Sequence, residues 1–272
     1  MAESRVHGAV DQATSTDAFE KVARAGYAVS GVLHLLIAYI IAMLAFGVGG
    51  NADQSGALAT LAGKTGGAVA LWVAAIGLFG LALWRVAETV VGSHPNDPTD
   101  RDTGMEKQFN RVKSVALAIV YCGLAISAIK FASGGGQSSG KKNAGMSAQL
   151  MQSGWGKAVL IIVGLVVIII GGYHIYKGAT KKFLEDLKVS GGSVITPLGM
   201  TGYIVKGAAF AGAGILVIVA TLTADPAKAA GLDAAVKTLG QAPFGKILLL
   251  IAALGIAAYG AFCFAMARFA RM

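Results

Sequence analysis

The sequence predicts an all-α membrane protein in which six transmembrane helices form three tandem helical hairpins. The first observation is composition, since 55% of the 272 residues are hydrophobic and only 14% are charged, whereas soluble domains carry about 25% charged residues. The second is a set of six apolar segments, each close to the ~20 residues that a helix needs to cross ~30 Å of hydrocarbon. The third is an internal repeat. The apolar segments cover residues 25–48, 67–90, 112–133, 157–177, 200–222 and 246–267.

Polar connectors separate these segments. Residues 91–108 form a charged, turn-rich loop, and the Gly/Ser-rich residues 133–147 predict a flexible external loop. Residues 178–198 predict a short amphipathic helix at the membrane interface, followed by a break. The third apolar segment is the weakest because Lys113 and Lys130 flank a short run, so both ammonium groups are expected to extend toward the headgroups.

One stretch of the flexible loop nearly matches a phosphate-binding P-loop. It runs from Gly135 to Lys142, but its last position is lysine instead of serine or threonine. It also follows a membrane helix instead of a strand, and no helix is expected to start at once. We therefore interpret it as a loop and not as a nucleotide site.

The three copies of a two-helix unit align along the chain. His34 of the first copy aligns with Tyr121 and Phe210 of the others, and Arg85 aligns with His174. A set of small and aromatic residues recurs at positions where small side chains let membrane helices approach closely. This predicted packing set is Gly31, Gly207, Gly67, Gly156, Gly245, Trp84, Tyr173 and Phe262.

The repeats define the predicted domain organisation. A polar segment, 1–20, precedes repeat 1 (21–91), repeat 2 (109–178) and repeat 3 (196–272). Because each unit crosses the membrane twice, all three enter from the same side and are parallel, which predicts a pseudo-three-fold bundle about the membrane normal. Inverted repeats, which build many alternating-access transporters, are not predicted.

The distribution of basic residues predicts the orientation. The larger share of the 23 Lys and Arg residues lies in the N-terminal segment, the second and fourth connectors and the C-terminus. The positive-inside rule then places both termini in the cytoplasm of a protein that crosses the cell (inner) membrane several times. The net charge of +9 therefore indicates contact with membrane lipids and not with nucleic acid.

Three motifs resemble those of a known family. They are Arg-x-Gly-Tyr-x-x-x-Gly from Arg24 to Gly31, Gly-x9-Gly-x6-Trp-Arg from Gly67 to Arg85, and Gly-Gly-Tyr-His-Ile-Tyr-Lys-Gly from Gly171 to Gly178. Together they resemble the actinobacterial membrane family catalogued as domain of unknown function 1206. The resemblance implies three tandem copies of a two-helix unit over nearly the whole chain, and it implies no particular chemistry.

The copies depart from the first motif in two places. Lys113 and Ser114 stand where the second copy would have Gly-Tyr, and Met200 stands where the third copy would have arginine. We expect the first copy to carry out whatever the motif does.

His34 is the sharpest candidate for a functional residue. It lies about ten residues beyond Arg24, hence ~15 Å into the membrane at 1.5 Å per residue. An ionisable group at that depth could relay a proton, bind a metal or hold a quinone. Alternatively it packs as one of the aromatic set with Tyr121 and Phe210, as a neutral ring hydrogen-bonded to a neighbouring helix.

Four further residues are candidate functional or partner contacts. Arg85 and Glu88 share one helix face and predict an i,i+3 pair at headgroup level, or else a site for a partner or a lipid phosphate. Lys206 is expected to extend to the headgroups or to pair with a partner's carboxylate. His174 lies closer to its helix end than His34, so a haem held by both is disfavoured.

The sequence favours no chemistry of the protein's own. It contains no Ser-His-Asp set, paired membrane carboxylates or metal-ligand spacing, so no catalytic, cofactor or metal site is predicted, and enzymatic activity stays open but is not favoured. Cys122 and Cys263 lie in apolar runs and predict neither a disulfide nor a zinc site.

We expect an accessory subunit of a larger membrane assembly, of the lipid-transport or respiratory type, with other membrane subunits as partners. One alternative is a small transporter or channel for a lipid or apolar solute. Another is a membrane oxidoreductase subunit that uses His34.

Overall fold

The computed structural model describes residues 17–91 and 104–271, and this part of the chain is helical. Its α-helices are α1 Asp17–Ala45, α2 Gln54–Ala62, α3 Gly67–Val91, α4 Gly104–Ala132, α5 Ser139–Leu150, α6 Gly154–Ala179, α7 Gly192–Thr223, α8 Leu232–Gln241 and α9 Gly245–Phe269. Two 3-10 helices, Lys182–Asp186 and Pro226–Ala229, lie in the connectors. Most of the predicted N-terminal segment and of the 91–108 loop lies outside the described residues.

Six of these helices confirm the predicted spans. Helices α1, α3, α4, α6, α7 and α9 are each long and apolar enough to cross a membrane, with mean hydropathies between 2.0 and 2.6. The all-α fold with six membrane helices is therefore confirmed, and the protein is a multi-pass membrane protein.

Each repeat also contains a short helix that the sequence analysis did not predict. Helices α2, α5 and α8 connect the two spanning helices of repeats 1, 2 and 3. The flexible loop predicted for residues 133–147 is wrong over its second half, because α5 begins at Ser139. The Ser139 amide donates a hydrogen bond to Ser55 Oγ at 2.8 Å, and Gly140 packs on Ala230. Contacts with the other two repeats thus stabilise a helix that its composition does not favour.

Helix α5 also contradicts the expectation that no helix starts directly after the P-loop-like stretch. A helix does start within the motif, at Ser139, but the element before it is the membrane helix α4 and not a strand. The motif therefore still lacks the strand–loop–helix context that a phosphate-binding loop requires.

The connector before α7 also differs from its prediction. In place of an interfacial α-helix there is a five-residue 3-10 helix, and its Phe183 is fully buried against Tyr203 and Phe262. The predicted break is present but shorter, since residues 187–191 are not helical and α7 begins at Gly192 and continues through Pro197. Pro197 is the sixth residue of α7, just beyond the first turn, so it deprives the Ser193 carbonyl of one helical hydrogen bond.

The six spanning helices follow one another in the order α4, α3, α1, α9, α7, α6. The most extensive contacts join neighbouring repeats, namely α6 with α7, α9 with α1, and α3 with α4. Within repeats 1 and 3 the two spanning helices also pack together, but α4 and α6 of repeat 2 do not pack extensively in the described part of the chain. The bundle is thus a pseudo-three-fold ring interrupted between α4 and α6, a place that we call the α4–α6 seam.

Glycine pairs make the contacts between repeats close. A Cβ at Gly171 would lie 2.6 Å from the Gly207 carbonyl oxygen, and a Cβ at Gly207 would lie 2.5 Å from the Gly171 oxygen. Likewise Gly31 on α1 faces Gly260 on α9, where an added Cβ would lie 3.0 Å from the Gly260 oxygen. Gly31 and Gly207 of the predicted set therefore lie where helices of different repeats touch.

The other three glycines of the predicted set have a different role. Gly67, Gly156 and Gly245 are each the first or third residue of the second spanning helix in their repeat. An added Cβ would collide with the backbone carbonyl of Leu61, Leu150 or Gly240, respectively, at the end of the preceding short helix. These glycines allow a tight turn between the short and the long helix, instead of close contact between two spanning helices.

Candidate functional site

Polar residues from α1, α7 and α9 meet inside the bundle. His34 is 8% exposed, and its ring centroid lies 4.7 Å from that of Tyr259. Nδ1 of His34 lies 2.7 Å from the backbone oxygen of Ser30. Because a carbonyl oxygen only accepts, we assign the proton to Nδ1, which leaves Nε2 as an acceptor in the neutral ring. The expected hydrogen bond to a neighbouring helix is thus replaced by one within α1.

The ammonium group of Lys206 lies over the aromatic ring of Tyr259. Its Nζ lies 3.8 Å from the ring centroid of Tyr259 and 5.8 Å from that of Phe210, both distances typical of cation–π contacts. Among the described residues no carboxylate pairs with Lys206. We refer to His34, Lys206 and Tyr259 as the central polar cluster.

A small cavity adjoins this cluster. It has a volume of about 10 Å³, close to the space that one water molecule needs, and His34, Lys206, Phe210 and Gln54 contribute to its walls. Two of the three aligned positions, His34 and Phe210, therefore face the same cavity. The third, Tyr121 on α4, is half-buried and packs against the hydrophobic core.

His174 lies in a second aromatic environment. Its Nδ1 lies 2.8 Å from the backbone oxygen of Ile170, so both histidines are held by the carbonyl one turn earlier. Its ring contacts Tyr203 at 5.8 Å, Phe210 at 5.6 Å and Tyr173 at 6.2 Å between centroids. No ring contact joins His174 to His34 in the described residues.

Arg85 connects two helices of repeat 1. Its Nη2 donates a hydrogen bond to Tyr27 Oη at 2.7 Å. The predicted partner, Glu88, lies on α3, but its side chain is outside what the structure describes. The neighbouring Trp84 is buried, as is Phe262, whereas Tyr173 of the same aligned set is half-buried.

Arg24 has a role that the sequence analysis missed. Its guanidinium donates to the backbone oxygens of Ala267, Arg268 and Ala270 at 3.0, 2.7 and 3.2 Å. Glu20 holds it in place from one turn earlier on α1, at 2.5 and 2.9 Å. A cation on the free carbonyls at the end of α9 is stabilising, and we call this contact the C-terminal clasp.

The C-terminal clasp joins the first and last copies and also involves the connector before α7. Arg24 in repeat 1 caps the last helix of repeat 3, which is a contact between the first and last copies. The connector before α7 joins the clasp, since the Lys188 amide donates to the Phe269 oxygen at 2.7 Å and the Arg271 amide donates to the Asp186 oxygen at 2.9 Å. The pattern of one intact motif among three copies was the signal available in the sequence.

Asp186 ties this connector to α6 through an ion pair with Lys177. Burial alone would raise the pKa of the Asp186 carboxyl, but the positive charges of Lys177 and Lys113 hold that pKa below its usual value. The carboxylate therefore stays charged at neutral pH and holds the end of α6 against the connector.

The described residues contain no group of three or more His, Cys, Asp or Glu side chains that could hold a metal ion. Both cysteines are free; Cys263 is buried, with its Sγ 3.9 Å from Ser30 Oγ, and Cys122 is half-buried. The arrangement offers a lysine charge, an imidazole acceptor and a water-sized space inside the bundle.

Comparison with known proteins agrees with the repeat structure. The model of the family described as Domain of Unknown Function (DUF1206) matches residues 25–92, 112–181 and 201–270. The chain is also similar to an uncharacterized protein of Bacillus subtilis (strain 168), with 28% identity over 246 residues that make up 89% of this chain and 87% of the relative. A similar protein thus occurs outside the actinobacteria. No solved structure matches the chain. Since the three matched segments cover most of its length, the chain belongs to the DUF1206 family, as a protein with three tandem copies of the repeat.

Proposed function

We propose that the protein is an accessory subunit of a larger membrane assembly and that it contacts a partner subunit along the α4–α6 seam. The observation that carries this proposal is the incomplete ring. Spanning helices of one repeat pack together in repeats 1 and 3 but not extensively in repeat 2. A helix from another membrane protein would supply, at the seam, the contact that the other two repeats make internally.

The exposure of the two seam helices supports the proposal. In the most apolar stretch of each helix, only 17% of the residues of α4 and of α6 are buried, compared with 56% of those of α3. Large apolar side chains remain uncovered on both, including Ile119 at 67% and Ile169 at 69% exposure. Such faces contact lipid or another protein helix, and packing drives association of helices in a bilayer.

Photo-crosslinking in native membranes tests the partner directly. A photoreactive amino acid replaces the exposed Ile119 of α4 or the exposed Ile169 of α6, and Leu254 on α9, which is 72% exposed, is the matched control. We expect the positions on α4 and α6, and not the control, to form adducts with one discrete protein. Adducts with lipid alone at all three positions, together with a monodisperse monomer after gentle solubilisation, would contradict the proposal.

We also propose that the protein lies in the cell (inner) membrane with both termini in the cytoplasm. Basic side chains concentrate at the end of the bundle that contains the C-terminal clasp, with Lys177, Lys188 and Arg271 among them, which supports the positive-inside assignment. A reporter that is active only outside the cytoplasm, fused to the C-terminus, should give no signal. A clear signal would reverse the topology.

The oxidoreductase alternative stays a prediction about His34. It requires a cofactor absorption band in protein purified from its native membrane, and it requires His34→Phe to remove that band.

A further inference from the structure

Repeat 3 contains an apolar cavity that the function proposed above does not use. Its volume is about 320 Å³, and α7, α8 and α9 form most of its walls together with Ile41 of α1. Ligand cavities in proteins begin at about this size. Side chains such as Val205, Val236, Leu239 and Ile251 line it, so that it suits an alkyl chain.

This cavity lies next to the central polar cluster. Ala209, Leu232 and Ile256 contribute to the walls of both the apolar cavity and the small cavity beside His34 and Lys206. The two spaces are thus neighbours within the bundle. One is apolar, and the other presents an ammonium group together with the side chain of Gln54.

The charge of Lys206 determines which polar group a ligand of the apolar cavity would carry. A lysine charge inside a membrane bundle is costly unless an opposite charge or a strong acceptor meets it. In the described part of the chain Lys206 has aromatic contacts with Tyr259 and Phe210 but no carboxylate. An anionic group at the end of an apolar chain would complement both the charge and the neighbouring apolar space.

We propose that repeat 3 binds a single-chain amphiphile with a carboxylate head, that is, a fatty acid. The alkyl chain occupies the apolar cavity, and the carboxylate lies where the two cavities share Ala209, Leu232 and Ile256 and pairs there with the Lys206 ammonium. A methylene takes roughly the space of a liquid water molecule, ~30 Å³, so 320 Å³ accommodates about ten carbons. This ligand class follows from the charge and the cavity, and it does not depend on the α4–α6 seam.

The bilayer itself provides the entry path. Ile251 belongs to the cavity wall and is also 56% exposed on the outer surface of α9. Helices α7 and α9 pack less extensively than the pairs that join neighbouring repeats. A fatty acid dissolved in the membrane therefore enters sideways between these helices, without crossing a polar surface.

Equilibrium binding of radiolabelled dodecanoate to the full-length protein in lipid nanodiscs tests the proposal, with empty nanodiscs as the blank. Dodecanol, which has the same chain and no charge, is the comparison ligand. We expect saturable binding of one dodecanoate per chain. Lys206→Met should weaken dodecanoate binding at least tenfold while changing dodecanol binding less than twofold.

A second pair of variants keeps the test decisive if Lys206→Met fails to fold. Gly212 lines the cavity, and an added Cβ there meets nothing within 4 Å, so the Cβ of Gly212→Leu is accommodated and its isobutyl group takes up cavity space. It should abolish binding of both ligands. Gly172→Leu is the control, because Gly172 also faces open space but does not line the cavity. Binding that is not saturable, or that survives Gly212→Leu unchanged, would overturn the proposal.

Discussion

The contact between α6 and α7 yields a sharp prediction, because two adjacent glycines differ in what surrounds them. A Cβ added at Gly171 would lie 2.6 Å from both the Gly207 oxygen and the Ala211 nitrogen. Ordinary contacts of this kind begin at 3.4 Å, so the two helices would have to separate by about 0.8 Å. A Cβ at Gly172 meets nothing within 4 Å. We therefore expect Gly171→Ala to destabilise the bundle and Gly172→Ala not to.

Two opposing effects determine how much each glycine-to-alanine substitution changes the free energy of unfolding. Forcing extra volume into a packed contact costs about 1–3 kcal/mol. Alanine favours the helix over glycine by about 1 kcal/mol, but this gain applies equally to both variants. The free energy of unfolding should therefore differ between the two variants by about 1–3 kcal/mol, roughly 5- to 150-fold in the unfolding equilibrium.

The assay is equilibrium unfolding in mixed micelles titrated with sodium dodecyl sulfate, followed by circular dichroism. Gly172→Ala should match or exceed the wild-type protein in stability, while Gly171→Ala should unfold at a lower mole fraction of the denaturing detergent. Equal midpoints for the two variants would refute the argument that glycine packing holds α6 against α7.

Two further predictions concern the end of the bundle that contains the clasp. Arg24→Ala removes three hydrogen bonds to the end of α9 and should cost about 1–3 kcal/mol. Faster hydrogen exchange in the last turn of α9 would show this loss, and Lys21→Ala, at an exposed position of α1, is the control that should leave exchange unchanged. The pKa of the Asp186 carboxyl in the folded protein lies below its usual value. Its ion pair with Lys177 therefore stabilises the fold fully at pH values above the pKa of an aspartate in the unfolded chain, about 4. This stabilisation is lost as the pH falls through the lower pKa of the folded protein. Acid unfolding should consequently be less steep in Asp186→Asn than in the wild-type protein, and identical pH profiles would show that the pair contributes nothing.

The long apolar helices and their repetition were predictable because the bilayer imposes length and composition on every spanning segment. The short helices were not, since tertiary packing and not hydrophobic length holds them in place. Helices α2 and α8 pack mostly within their own repeats, whereas α5 packs mostly against repeat 3. The α5 segment is rich in glycine, serine and lysine, and its first residue, Ser139, is hydrogen-bonded to Ser55 of repeat 1.

The sequence indicated two residues of the candidate site but not the contacts between them and their neighbours. The depth of His34 and the charge of Lys206 were visible in the sequence, yet Tyr259, which contacts both side chains, was not singled out. Nothing in the spacing shows that α9 lies beside α1. Arg24 was similarly recognised as part of a motif, while the carbonyls it caps lie at the opposite end of the chain.

The first and last repeats adjoin through α1 and α9, and this contact sets the order of the helices in the bundle. Ser30 Oγ and Cys263 Sγ lie 3.9 Å apart across this contact, so Ser30→Cys should form a disulfide with the native Cys263 when membranes are oxidised with copper phenanthroline. A protease site inserted after Gly134, in the exposed loop between α4 and α5, separates the two cysteines after cleavage. We expect the two fragments to stay joined without reductant and to separate with it, and we expect Cys263→Ala to abolish the link. Fragments that separate without reductant, in a protein that remains folded, would contradict it.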